Sequence, residues 1–391
     1  MQTACTITLQ LTKSSGRTEI SFEEGSSLHA QGIYILAPQG KLSIDATSTL
    51  EANGRSLHSK GSSHAGETGQ GASYIGQGGS CHGAHEDKTY GTFDMMPNAD
   101  NIYDSVYVTH VGSAGIGRPT VDRATAGGGH VHIDVDSISF ACSDGGLNTQ
   151  IQADGLPSRN SPEAGSRDLH GGTGGYIYIN TRAQGGRNAI VGQCAVSAQG
   201  GFGKGIGYGG AGGVVILDGR TLSVGMVHIN GGKGGAHFDK PANKGCGNAA
   251  SGTFYTKGYK ALIVDNGIES DKATVLSASS QSAAYPGESL VAEDFWVGPR
   301  TNVLLRNHAG GDILFPVLYM APYSNMTFDF EQAATLVVKY RDSFEVHATS
   351  ILDFTRITDS TVFKSIAALG YANAVRLGVV KFSRSLEIEV D

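Results

Sequence analysis

Tryptophan occurs once, proline ten times and cysteine five times in this chain of 391 residues, and no apolar run approaches the length that crosses a bilayer. Each shortage excludes something. Scarce proline and the lack of a Gly-X-Y register exclude collagen, although glycine occurs 57 times. The cysteines, at 5, 81, 142, 194 and 246, match no zinc spacing, and their pairing does not follow from the sequence. Lysine and arginine form no cluster and the formal charge is −7, so neither nucleic acid nor membrane insertion is expected. No segment sustains a helical apolar period. The start, Met1-Gln2-Thr3-Ala4-Cys5, has no charged stretch followed by an apolar one, so the expectation is either a signal already removed or, favoured because both ends read as strand-like, a segment of a longer chain.

What the chain does have is a repeat. Between Gly127 and Gly267 a glycine cluster, a short β-type run, a second run and an apolar–x–apolar–x–Gly run recur in order. The opening runs align as Gly129–Asp134, Gly175–Asn180, Gly213–Asp218 and Gly252–Lys257, their leading glycines stepping by 46, 38 and 39 residues. The closing runs, Ile151–Gly155, Val196–Gly200 and Val227–Gly231, keep step, and Leu50-Glu51-Ala52-Asn53-Gly54 matches them. A fixed period built from short strands is the signature of a solenoid. The fold class expected is therefore all-β, a right-handed parallel β-helix with long glycine-rich loops, the hand being that of parallel crossovers. Alternation places Val131, Ile177, Val215 and Phe254 inside, one per coil, and His132, Tyr178, Ile216 and Tyr255 outside on a solvated face.

Three regions follow. Residues 1–267 read as the glycine-rich β-helix, with a long glycine-rich loop over 55–128. Residues 268–291, rich in Ser and Ala, read as a linker or loose coil. Residues 292–391 carry only five glycines after residue 294 and more aromatic runs, and read as further solenoid coils or, alternatively, a separate β-sandwich.

The richest polar stretch is His130-Val131-His132-Ile133-Asp134-Val135-Asp136. His130, His132, Asp134 and Asp136 share one parity, so two imidazoles and two carboxylates face one way, as acid–base chemistry or a divalent cation would require. Side chains two apart on a strand stand too far apart for a tight cage, so no catalytic set and no metal site are assigned. Tyr176, Tyr178 and Tyr255 offer flat rings that either bind glycans or stack to hold neighbouring coils together. Asn325-Met326-Thr327 is a glycosylation sequon, with Asn325 as acceptor. The glycine clusters lack the Gly-Lys-Ser/Thr ending of phosphate loops and the Asp of calcium-binding nonapeptides, and no nucleophile elbow occurs. Cys142 and Cys194 lie in strand-like runs and are expected to be buried, not reactive. No cofactor is expected.

Leu-Glu-Ala-Asn-Gly at 50–54, Gly-Ala-Ser-Tyr-x-Gly-x-Gly-Gly at 71–79, Tyr90-Gly91-Thr92 and the glycine clusters before Ile-x-Ile strands resemble the glycine-rich β-helical regions of very large secreted and cell-surface proteins of protists, algae, plants and bacteria. The resemblance covers about residues 40–267. More distantly the coils are similar to pectate-lyase-like β-helices, without their clusters of carboxylates or basic residues. The first resemblance implies a non-catalytic extracellular structural or adhesive module, part of a surface coat, filament or appendage, that meets neighbouring domains or copies of itself through its ends. The second implies a polysaccharide lyase or hydrolase, and a non-catalytic glycan-binding module lies between them.

Overall fold

The computed structural model describes residues 5–11, 18–54, 73, 77–80, 93–94, 126–142, 149–158, 170–181, 189–192, 194–204, 207–235, 247–277, 288–290, 292–307, 312–330, 336–357, 363–368 and 374–381. Most of the 55–128 excursion, and Cys81 and Cys246 with it, lies outside them. All regular structure among the described residues is β, in sheets of 16, 5 and 6 strands. Among the described residues every strand pair is parallel except one.

The repeat aligned in the sequence is a register in space. Val131 pairs with Ile177, Ile177 with Val215 and Val215 with Phe254, across Gly32–Ile44, His130–Phe140, Tyr176–Asn180, Val214–Asp218 and Thr253–Thr256 in lateral order. The closing runs build the five-stranded sheet, where Leu50 pairs with Ile151, Ile151 with Val196 and Val196 with Val227. The inward members of both sheets, Ile33, Val131, Ile177, Val215, Leu50, Ile151 and Val196, are fully buried in one core, with Phe254 packed against it. Burying each such side chain contributes roughly 1.5–3 kcal/mol.

The exceptional pair is Thr253–Thr256 against Ala261–Val264, a tight antiparallel hairpin with Lys260 at φ 50°. Strands after it run the opposite way but continue the same sheet through Asp294–Val297, Asp312–Met320 and Leu336–Val346. Register then shows that the core changes side. Phe254 is opposite Ile263, which pairs with Trp296 and then Tyr319, and this row is the open face of the second half. Tyr255 is opposite Leu262, which pairs with Phe295, Leu318 and Phe344 in turn, and this row is a second core of large side chains. The six-stranded sheet, carrying Leu276, Leu305, Phe328 and Leu352, closes that core. Residues 268–291 thus include one strand of that sheet, Ala273–Ser277, and one strand of the large sheet, Glu288–Leu290. All described pairs beyond residue 292 are parallel, whereas sandwiches are built from antiparallel strands.

The glycine clusters, expected as loops, are an ordered element of their own. Ala249 donates its N–H to Gly232 O, Gly232 to Gly210, Gly210 to Gly201, Gly201 to Gly172, Gly172 to Leu156 and Leu156 to Ala126, at 2.7–3.1 Å. Partners recur every third residue. Gly171 and Gly174 donate to Tyr208 and Ala211, while Gly172 and Gly175 donate to Leu156 and Ala153. Gly209 and Gly212 donate to Gly247 and Ala250, and Gly210 and Gly213 to Gly201 and Ala198. Such a period belongs to extended left-handed segments with about three residues per turn, which hold no internal hydrogen bonds and must find partners sideways. The result is a lattice of backbone against backbone. A β-carbon at Gly174 would lie 2.5 Å from the Gly213 nitrogen, and one at Gly155 2.5 Å from the Thr173 oxygen. None of these glycines is required for a positive φ; they are required because nothing larger fits. Gln77–Ser80, from the 55–128 excursion, joins the lattice edge: Ala250 donates to Gln77 O, Gln77 to Ala273 O and Gly79 to Gly209 O.

Candidate functional site

The opening strands carry the sequence-derived candidates, and register brings them together as columns running across the sheet. In one column lie Tyr34, His132, Tyr178, Ile216 and Tyr255; in the next, Gly32, His130, Tyr176, Val214 and Thr253. The rings touch: Tyr34 and His130 centroids are 5.2 Å apart, His130 and Tyr176 5.0 Å, and His132 and Tyr178 5.2 Å. Aromatic pairs at such spacing contribute roughly 0.5–1.5 kcal/mol each beyond burial.

This face is covered, not solvated. His130, His132, Tyr176 and Tyr178 are 4–7 % exposed, and Tyr176, Tyr178, Val214 and Ile216 form an apolar cluster that Tyr255 borders. The expectation of a wet outer face is corrected for a simple reason. Alternation tells which residues share a face, but it does not tell what lies over that face. Tyr255 also packs against the second core, so the aromatic column leads into that core across the hairpin. Burial holds the His132 imidazole down at about 4, so it is neutral at neutral pH.

Asp134 is half-buried and heads a third column, Asp134, Asn180 and Asp218. Asn180 Nδ2 donates to Asp134 Oδ1 at 3.3 Å, and Lys257 Nζ lies 3.2 Å from Asp218 Oδ2, an almost fully buried carboxylate. Burial, and then the Asp218 charge, raise the Asp134 pKa. Asp136 is half-buried further along the same strand. Of the four candidates of 130–136, His130, His132 and Asp134 thus belong to three separate columns and Asp136 lies beyond them along the strand, so they do not converge on one point. Among the described residues no group of three His, Cys, Asp or Glu side chains gathers as a metal site. Asn325 sits at the start of the strand Asn325–Phe330 with its side chain half-buried and Oδ1 enclosed.

A polar column that sequence reasoning overlooked runs beside the closing glycines: Asn53, Asp154, Gln199 and Asn230, the fourth residue of each aligned closing run. Asn53 Oδ1 accepts from Asp154 N–H at 2.6 Å, and Asp154 Oδ1 accepts from Ser197 Oγ and Gln199 N–H, both at 2.6 Å. Its signal was an amide or carboxyl recurring just before each closing glycine.

Burial pushes the Asp154 carboxyl up to about 6 from 3.8, against the pull of its Ser197 and Gln199 hydrogen bonds. A raised carboxyl pKa means the folded chain holds the proton more tightly. That contribution is complete below about pH 3.8 and is lost as pH rises through about 6. Asp154→Asn keeps the accepting oxygen and removes the charge. It is expected to stabilise the fold at pH 7 by about 1–3 kcal/mol and to change little at pH 4. Denaturant unfolding of both proteins at the two pH values checks this, and equal midpoints at pH 7 would show the buried charge to be costless.

The chain matches no protein-family model, no curated protein and no solved structure.

Proposed function

We propose that this chain is a non-catalytic extracellular structural or adhesive module, a right-handed parallel β-helix serving as a building block of a surface coat, filament or appendage. The observation that carries the reading is the glycine lattice. It devotes a glycine-rich part of the chain to backbone packing that admits no side chain, which suits a rigid spacer.

Three further features support it. The core changes side where strand direction reverses, as it must if successive parallel connections keep one hand while the sheet continues in one direction. The Cys142–Cys194 disulfide suits an oxidising compartment. The motifs at 50–54 and 71–79 resemble glycine-rich regions of large secreted and surface proteins. Neighbouring domains or further copies would pair with the outermost strands of the large sheet.

The test is turnover. Purified protein is incubated with acidic and neutral polysaccharides while reducing ends and unsaturated-uronate absorbance are followed, and neither signal is expected to rise. Turnover that disappears in Asp134→Asn/Asp136→Asn would replace this reading with a polysaccharide-active enzyme.

A further inference from the structure

The single tryptophan is the residue that the change of core leaves most conspicuous. Trp296 is 44 % exposed, on the face of the large sheet that is core in the first half and open in the second. Its row neighbour Tyr319 is half-buried and lies against it, ring centroids 4.8 Å apart and planes tilted by 42°. The row begins at half-buried Ile263 and continues past Tyr319 to Glu345 and Arg376, and the adjacent row on that face runs Asp294, half-buried Val317 and Ser343. A two-ring apolar platform is thus bordered by carboxylates, a guanidinium and a hydroxyl.

We propose that the Trp296–Tyr319 platform binds a neutral polysaccharide, with one pyranose ring stacked on the indole beside Asp294 and the following sugars of the chain crossing the row toward Glu345 and Arg376, two and three strands away. The chemistry of the patch selects this occupant. A sugar ring presents an apolar C–H face to an aromatic ring and polar hydroxyls at its edge, which matches a small apolar centre with a hydrogen-bonding rim. A protein partner of standard size would need roughly 800 Å² and several apolar anchors on this side. Here the two rings, with half-buried Ile263 and Val317 beside them, stand among charged neighbours. The rim also carries the exposed Lys260–Glu293 and Arg341–Asp342 ion pairs, so its carboxylates outnumber its cations by one with Asp294, Glu345 and Arg376 counted. Burial first, and then the Glu293 and Asp342 charges, raise the Asp294 pKa against the opposing pull of Arg341. Uronates and sulfated sugars would add to that repulsion.

The inference deepens the adhesive side of the proposed function but does not require it, because binding at Trp296 and turnover at any other place are read separately. As the only tryptophan, Trp296 makes intrinsic fluorescence a reporter of this face alone. The intact chain is titrated with neutral β-glucan, xylan and mannan oligosaccharides and with polygalacturonate, and affinity electrophoresis through the same polymers gives a label-independent measure. Expected is a saturable spectral shift with at least one neutral glycan, retardation in its gel, and no response to polygalacturonate. Trp296→Ala should lower the gel affinity at least tenfold, and Tyr319→Ala or Glu345→Gln should weaken it with the fold intact by circular dichroism. If no neutral glycan shifts the fluorescence or retards the protein, the proposal is overturned. It is equally overturned if the emission depends on protein concentration and Trp296→Ala abolishes self-association, since the platform would then be an interface between copies.

Discussion

Gly212→Val is expected to lower the unfolding free energy by several kcal/mol, more than any surface change. At this position the added β-carbon would lie 2.9 Å from the Ile229 carbonyl carbon and nearer still to its oxygen, with the Gly252 nitrogen on the other side. Both neighbours are backbone, so no rotamer change relieves the overlap. The segment itself must move, and with it the Gly212 N–H that Ala250 O accepts at 3.0 Å and the Gly252 N–H that Ile229 O accepts at 2.7 Å. Overpacking of about 1–3 kcal/mol adds to the loss of hydrogen bonds worth roughly 0.5–1.5 kcal/mol each. Thermal unfolding of the variant beside the parent measures the sum. An unchanged melting temperature would mean that this stretch is a pliable linker, and the rigid-spacer reading would lose its main support. A useful control is Gly25→Ala, where φ is +75° and nothing lies within 4 Å of an added β-carbon. There only local backbone strain is incurred, a cost of about 1 kcal/mol.

The periodicity in the sequence was enough to read the register. Every position from His130 to Asp134 aligns in space with its counterpart at 176–180 and 214–218, because strands paired in parallel from the same point of each repeat keep the same offset along their length. The Leu50 run pairs with Ile151 as its pattern required. Two features were not legible. Burial of His130, His132, Tyr176 and Tyr178 depends on what lies over that face of the sheet, and period-two alternation holds no information about that. The change of core at Thr253–Val264 depends on one short hairpin, Lys257-Gly258-Tyr259-Lys260, which reads as just another turn between β-type runs. The lattice was half legible. The clusters were visible as recurring glycine-rich loops, but the threefold order appears only in who bonds to whom, since extended segments of this kind have no apolar period to display.

Removing the Cys142–Cys194 disulfide by the double change Cys142→Ser/Cys194→Ser is expected to lower stability by about 4 kcal/mol, the chain-entropy value for a loop of this size. The bridge joins residues 52 apart in sequence whose Cα atoms are 5.3 Å apart, just beyond the point where Phe140 and Gly192 pair. It therefore ties one repeat to the next at the edge of the first core, where Cys194 is fully buried and Cys142 packs alongside. The second core, from Leu262 onward, is built by other strands and holds neither cysteine. The loss should consequently be local. Hydrogen exchange in the double variant is expected to accelerate over His130–Phe140 and Ala189–Ser197, with Phe295, Leu318 and Phe344 keeping their protection. Dithiothreitol should reproduce the effect in the parent chain and leave the variant unmoved. Equal unfolding free energies, or exchange that rises evenly through both cores, would show that the bridge does not brace the first core.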